Sequence, residues 1–267
     1  MKNAILVVIR LTSLVKTGID GLDKALGGGI PEGNIVLLSG GAGTGKSTLC
    51  LQHIINGAAK YGEKSLYIST EQTREELLRH GNSFGWEIEK LEKLGKIKIV
   101  YFDITAHKDF IKSIDEVVRE FKPKRIAIDS LTTLTDALLI SDISEQTAFS
   151  LAQIAETVTP IPRTEQVIAK TILYQLMKNL KEYGVTTLLT SELYEDTNRL
   201  SADGVSEFIA DGVILMFFVG IAGTDSRTLR IRKMRYCEHL KSYLPYEIKK
   251  GEGIVVNTEE SMDVLMK

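Results

Sequence analysis

Residues 34–48 read NIVLLSGGAGTGKST, and the reading of the fold starts from them. Asn34–Ser39 is a short, nearly continuous apolar run, as a parallel strand buried on both faces should be. Gly40, Gly41, Ala42, Gly43, Thr44, Gly45, Lys46 and Ser47, with Thr48 behind them, then match G-x-x-x-x-G-K-[ST], directly after that strand and opening a helix. Chemistry accounts for the spacing. Glycines let successive backbone N–H groups turn inward around phosphate oxygens without a Cβ clash. The helix N-terminus adds partial positive charge, and Lys46 reaches the outer phosphates. The Ser47 hydroxyl is the expected Mg²⁺ ligand beside the β- and γ-phosphates. A Gly-rich turn with an exposed lysine would not account for four glycines, Lys-Ser in register and both flanks.

Working outward, strands and helices alternate. Ser47–Tyr61 reads as a helix, Ser65–Ser69 as a strand and Thr73–Phe84 as a helix, with Thr73 and Glu76 at capping-box spacing. Ile97–Phe102, Arg125–Ile128 and Thr186–Thr190 are further strands, with helices at Phe110–Phe121 and Val167–Tyr183 between them. This predicts an α/β fold, a central and mostly parallel sheet flanked by helices. After Asp211 the helices stop. Val213–Val219, Thr228–Tyr236 and Tyr246–Lys249 read as strands joined by short turns, an antiparallel extension at the C-terminal edge. With no Pro/Ser-rich linker and no repeat, residues 1–267 are expected to form a single domain, residues 1–15 contributing an N-terminal strand segment. A helical stretch, Glu145–Val158, must end at Thr-Pro-Ile-Pro 159–162.

Composition removes several classes. The chain has 267 residues, 43% hydrophobic and 25% charged, with 33 Lys+Arg against 35 Asp+Glu, so it is neither disordered nor globally basic. Its longest uncharged apolar stretch, Gly212 to Gly223, falls short of the roughly 20 residues a spanning helix needs. Arg10 interrupts the apolar N-terminus, and no small-residue cleavage site follows, which disfavours a signal peptide. Cys50 and Cys237 make no disulfide framework and no Cys-x-x-Cys, as expected of a cytoplasmic protein. Cys50 reads as a small buried hydrophobe.

Carboxylates complete the candidate site. Asp129 ends the apolar strand Arg125-Ile-Ala-Ile-Asp, where a second Mg²⁺-shell acid is expected and where such sheets bind their ligands. Asp after a strand is also a common turn residue. Glu71 follows the second strand and is not needed for the Thr73 cap, so its carboxylate is available to orient water, unless it is merely a solvated loop residue. Ser191 and Glu192 are less specific candidates for sensing the γ-phosphate. The histidines, His53, His80, His107 and His239, have no ligand spacing, and Trp86 reads as a packing residue.

Together these motifs resemble a known family. Lys16–Gly33, reading KTGIDGLDKALGGGIPEG and running straight into the glycine-rich loop, is similar to the opening of KaiC-like ATPases of the RecA superfamily. Tyr67-Ile-Ser-Thr-Glu71, Phe84-Gly-Trp86, Ile126–Ser130, Ala210–Val213 and Arg232-Lys-Met-Arg235 follow in the family's order and cover most of residues 16–256. The resemblance implies a RecA-like core, ATP and Mg²⁺ as ligands, and hexameric rings with ATP at the subunit interfaces. It implies that Glu71 is the catalytic glutamate and that Lys233 and Arg235 reach the neighbouring subunit's γ-phosphate. Read alone, that pair could be an exposed charged edge strand. Gln72 stands where the family often has a second glutamate, which favours slow or differently regulated turnover. Residues 141–165 are longer than the corresponding link of the relatives, an expected insertion.

Three rival readings stay open. A RadA-type DNA-binding recombination protein needs cationic loops, yet Leu131–Glu165 and Glu192–Phe208 each carry a local charge of −4. An autokinase could use Thr132 or Thr133. An ATP-dependent scaffold would assemble and barely hydrolyse.

Overall fold

The computed structural model describes residues 13–103, 110–135, 164–194, 199–221 and 224–259. Most of the N-terminal segment, the stretches 145–158 and 159–162, and all but the last two residues of 141–165 lie outside these.

Among the described residues, nine strands form one sheet in the order β11-β10-β9-β8-β3-β7-β6-β4-β5. Its parallel part comprises β8 (Gly212–Ile221), β3 (Ile35–Gly40), β7 (Thr186–Glu192), β6 (Arg125–Asp129), β4 (Ser65–Ser69) and β5 (Ile97–Tyr101). The antiparallel part is β9 (Thr224–Met234), β10 (Leu244–Lys249) and β11 (Gly253–Val256). The extension therefore begins one strand later than the sequence suggests, because β8 runs parallel to β3 and only the hairpin after it reverses direction. Leu14–Val15 and Ile30–Pro31 form a separate two-stranded ribbon, β1 and β2, with the single turn α1 (Leu22–Ala25) between them.

Strand period divides the core into two layers. Ile35 and Leu37 of β3 face a layer that contains Ile114 and Val118 of α5 (Phe110–Phe121) and Leu173, Leu176 and Leu180 of α6 (Thr164–Tyr183). Val36 and Leu38 face the other layer, with Leu49, Cys50 and Ile54 of α2 (Lys46–Tyr61). Alternation with both faces covered is why the β3 sequence is apolar at every position. Every residue of α2 from Thr48 to Ala58 is buried, where an amphipathic helix would bury only one face. The β10–β11 hairpin covers its far side, where Gln52 hydrogen-bonds the carbonyls of Glu252 and Ile254 and the N–H of Ile254.

Helix α3 (Arg74–Ser83) starts with the expected capping box. Glu76 N donates to Thr73 Oγ1, and Thr73 N to Glu76 Oε2. After α3 comes α4 (Ile88–Lys93), a short and highly charged helix that buries only Ile88. Trp86 stacks on Phe84 with ring centroids 4.7 Å apart, a packing role as expected. A single turn, α7 (Ser206–Ile209), precedes β8. Among the described residues no helix is long and apolar enough to cross a membrane.

Candidate nucleotide site

Four adjacent strands, β3, β7, β6 and β4, bring their carboxyl ends together. Their ends carry the glycine-rich loop, Ser191 and Glu192, Asp129, and the Thr70–Glu71 segment. The loop leaves β3 at Gly40, where a Cβ would stand 2.2 Å from the carbonyl oxygen of Met216. It enters α2 at Gly45, whose φ of +95° suits glycine and whose missing Cβ leaves room for the Ile248 side chain of β10. Lys46 folds back over the loop, donating to Gly40 O and Gly41 O at 3.0 Å each, with the Glu192 carboxylate 3.9 Å away. Ala42 and Gly43 are exposed at the loop's tip.

Asp129 is 1% exposed. Tyr67 Oη donates to its Oδ2 at 2.7 Å and Thr190 Oγ1 to its Oδ1 at 2.6 Å. Burial, with Asp129 beside it, raises the Tyr67 phenol well above its usual range and keeps it a donor. Cys50 below is also fully buried, and burial foremost holds its thiol protonated. A buried carboxylate oriented by two neutral hydroxyls fits an acid facing a cation. The groups present also fit Mg²⁺, which takes one or two protein ligands and completes its shell from water and phosphate. No three-residue His/Cys/Asp/Glu cluster able to hold a metal alone occurs among the described residues.

Glu71 is exposed at the same edge, and its Oε1 accepts from Thr133 Oγ1 at 2.9 Å. Thr70 joins the two loops, its Oγ1 accepting from Ser130 N and donating to Ser130 O. Thr132 is engaged differently, accepting from Glu192 N at 3.1 Å. Ser191 Oγ accepts from Ala202 N at 3.0 Å.

Several neighbours of the loop escape the sequence reading. Tyr246 Oη donates to Thr44 O at 2.5 Å, Arg227 Nη2 lies 3.5 Å from Gly43 O, and His80 Nε2 is 3.1 Å from Thr48 Oγ1. They come from β10, β9 and α3, and no local spacing signals their approach.

Lys233 and Arg235 lie elsewhere. Met234 pairs with Gly212, which pairs with Val36, whereas the loop begins at Gly40 beside Met216. Four residues of strand separate the two levels, about 13 Å at ~3.3 Å per residue. Both side chains turn toward the 207–211 segment. Lys233 Nζ donates to the carbonyls of Glu207, Phe208 and Ala210, and Arg235 Nη1 to Asp211 Oδ1 at 3.2 Å. Burial, then Arg235, lowers the Lys233 pKa. Lys233 is the penultimate residue of β9 and Arg235 lies one residue beyond it, both after a bulge opposite Val213 and Ile214.

The sheet order and the loop at the end of β3 define a RecA-like P-loop fold. A family model described as "ATPase: KaiC" matches residues 15–146 and 152–261, and the chain belongs to that family. It is 34% identical over 242 residues to the UPF0273 protein MJ1359 of Methanocaldococcus jannaschii, covering 91% of this chain and 95% of that one. It is 30% identical over 252 residues to the circadian clock oscillator protein KaiC of Prochlorococcus marinus, covering 91% of this chain but only 44% of that protein's length. The crystal structure of the KaiC-like protein PH0186 from Pyrococcus horikoshii superposes with a TM-score of 0.74 at 37% identity, covering 92% of this chain and 99% of that one.

Proposed function

We propose that this chain binds Mg·ATP and hydrolyses it at sites completed by a second copy, in a ring that is most simply a hexamer. One observation carries this reading. The phosphate loop, Asp129 and Glu71 share the carboxyl edge of the sheet, while Lys233 and Arg235 sit about 13 Å away at its amino end. Cations placed there cannot serve their own chain's loop, so their use requires a neighbour.

In this mechanism the inward N–H groups of the loop and Lys46 hold the β- and γ-phosphates, and closure over them displaces the lysine's bonds to Gly40 and Gly41. Ser47 and Asp129 would hold Mg²⁺, which neutralises charge between the β- and γ-phosphates when bound. Glu71, steadied by Thr133, orients the attacking water and accepts its proton. Lys233 and Arg235 from the adjacent copy oppose the charge developing on the γ-phosphoryl oxygens.

Gln72 supports slow turnover. It replaces a possible second carboxylate, and its Oε1 is buried without a hydrogen-bond partner among the described residues. A nucleotide-dependent scaffold is therefore the second reading. Most of the first acidic stretch, residues 136–163, and residues 195–198 of the second lie outside the described residues.

Steady-state ATP hydrolysis by wild type, Lys46→Ala and Glu71→Gln, with light-scattering mass measured with and without ATP, tests the proposal. Turnover well above Lys46→Ala in an ATP-supported oligomer is expected. A wild type no faster than Lys46→Ala removes the hydrolase, and a persistent monomer removes the shared site.

A further inference from the structure

Building on the shared-site reading, we infer that Asp211 is the positioning residue for Arg235, and that it ties the interface arginine of one copy to the phosphate-loop strand of the same copy. Asp211 is 3% exposed and fully committed. Its Oδ1 accepts from Arg235 Nη1 at 3.2 Å and from Lys181 Nζ at 3.0 Å, and its Oδ2 accepts from Ile35 N at 3.1 Å.

The backbone repeats the connection. Asp211 N donates to Ile35 O at 2.8 Å, and Arg235 N donates to Asp211 O at 2.9 Å. Asn34 Nδ2 donates to Arg235 O at 3.1 Å, so both peptide groups of Arg235 are held. Ile35 is the first residue of β3 and Gly40 the last. A single buried strand thus carries the phosphate loop at one end and the anchor of the arginine at the other.

Donor bookkeeping separates the two cations. An ammonium has three N–H donors, and Lys233 directs its own at the Glu207, Phe208 and Ala210 carbonyls. A guanidinium has five. Arg235 gives one side-chain donor to Asp211, and its Nε and Nη2 have no partner among the described residues. The side chain is 43% exposed. One donor fixes its direction while the remaining fork stays available to a phosphoryl group, the geometry an arginine needs to act across an interface. Lys181 shares Oδ1 and the Ile35 N–H occupies Oδ2, so Asp211 and Arg235 make a single contact.

The test is complementation between variant protomers. Asp211→Asn removes the charge and keeps the shape. Alone, it should lower turnover by about tenfold or more, as Arg235→Ala should, with nucleotide Kd and assembled mass unchanged. Co-expressed with Lys46→Ala protomers, which have no working loop but an intact Arg235, it should regain turnover several-fold over either variant alone. A merely structural Asp211 would damage its own copy's site, and the partner's arginine would rescue nothing. If Asp211→Asn folds poorly because Lys181 loses its partner, Asp211→Asn/Lys181→Met carries the same comparison. Wild-type turnover in the Asp211→Asn protein, or failure of rescue, overturns the inference while the wild-type ATPase stands. Absence of turnover in wild type itself overturns both.

Discussion

Thr133 donates a 2.9 Å hydrogen bond from Oγ1 to Oε1 of Glu71, across the gap between the loops that follow β6 and β4. The same threonine is anchored twice by Ser130, Oγ to Oγ at 2.9 Å and N to Oγ at 3.1 Å. Ser130 is the residue after Asp129, so the proposed metal-shell acid and the proposed water-orienting acid share one short polar chain. An exposed glutamate otherwise spreads over several rotamers, and this contact reduces that freedom.

Thr133→Val is therefore expected to reduce kcat about three- to tenfold with KM little changed, because the loss falls on orientation and leaves nucleotide contacts in place. Thr133→Ser should recover most of the rate. Equal kcat values for Val and wild type would show that Glu71 needs no support from this hydroxyl.

Asp129 leads to a stability prediction. Tyr67→Phe and Thr190→Val each leave one oxygen of a buried carboxylate without its donor. Each should cost about 1–3 kcal/mol in urea unfolding. The double variant should depart from additivity, since both changes act on one group. A Tyr67→Phe protein as stable as wild type would mean that another donor replaces the phenol.

Locality explains what was legible in the sequence. The loop from Gly40 to Ser47 is contiguous, and Asp129 and Glu71 are found by counting from the ends of apolar strands. By contrast, Tyr67 and Thr190 meet Asp129 from 62 and 61 residues away, and Asp211 meets Ile35 from 176. Those contacts depend on the order β3-β7-β6-β4, which periodicity alone does not specify. The direction of β8 was hidden for the same reason, since an apolar run carries no mark of parallel or antiparallel pairing. Helix α4 offers little hydrophobic pattern because only Ile88 is buried.

His53 makes stability depend on pH. It is fully buried on α2, and burial, then the nearby Arg125 guanidinium, lowers its pKa well below the usual value. Its Nδ1 lies 3.4 Å from Arg125 Nη1, an arrangement that suits the neutral ring. Below pH about 6.5 the unfolded histidine takes up a proton that the native one refuses. The contribution is complete above that pH and is lost as pH falls below it, by at most about 1.4 kcal/mol per pH unit. His53→Gln should flatten the slope of unfolding free energy between roughly pH 6.5 and 5. An unchanged slope would assign the acid sensitivity to other groups.

Lys233 and Arg235 should separate by the kind of damage their loss causes. The Lys233 ammonium closes over the last carbonyls of α7, where a cation also meets the negative end of the turn. Lys233→Met leaves those carbonyls short of a donor and should cost about 1–2 kcal/mol in urea unfolding, whatever it does to turnover. Arg235 is half-exposed, and its departure leaves Asp211 with Lys181 and the Ile35 N–H. Arg235→Ala should stay within about 0.5 kcal/mol of wild type while turnover falls by at least about tenfold. If the stability loss instead follows Arg235, the guanidinium is serving the fold, and the cation that acts across the interface has to be sought at Lys233.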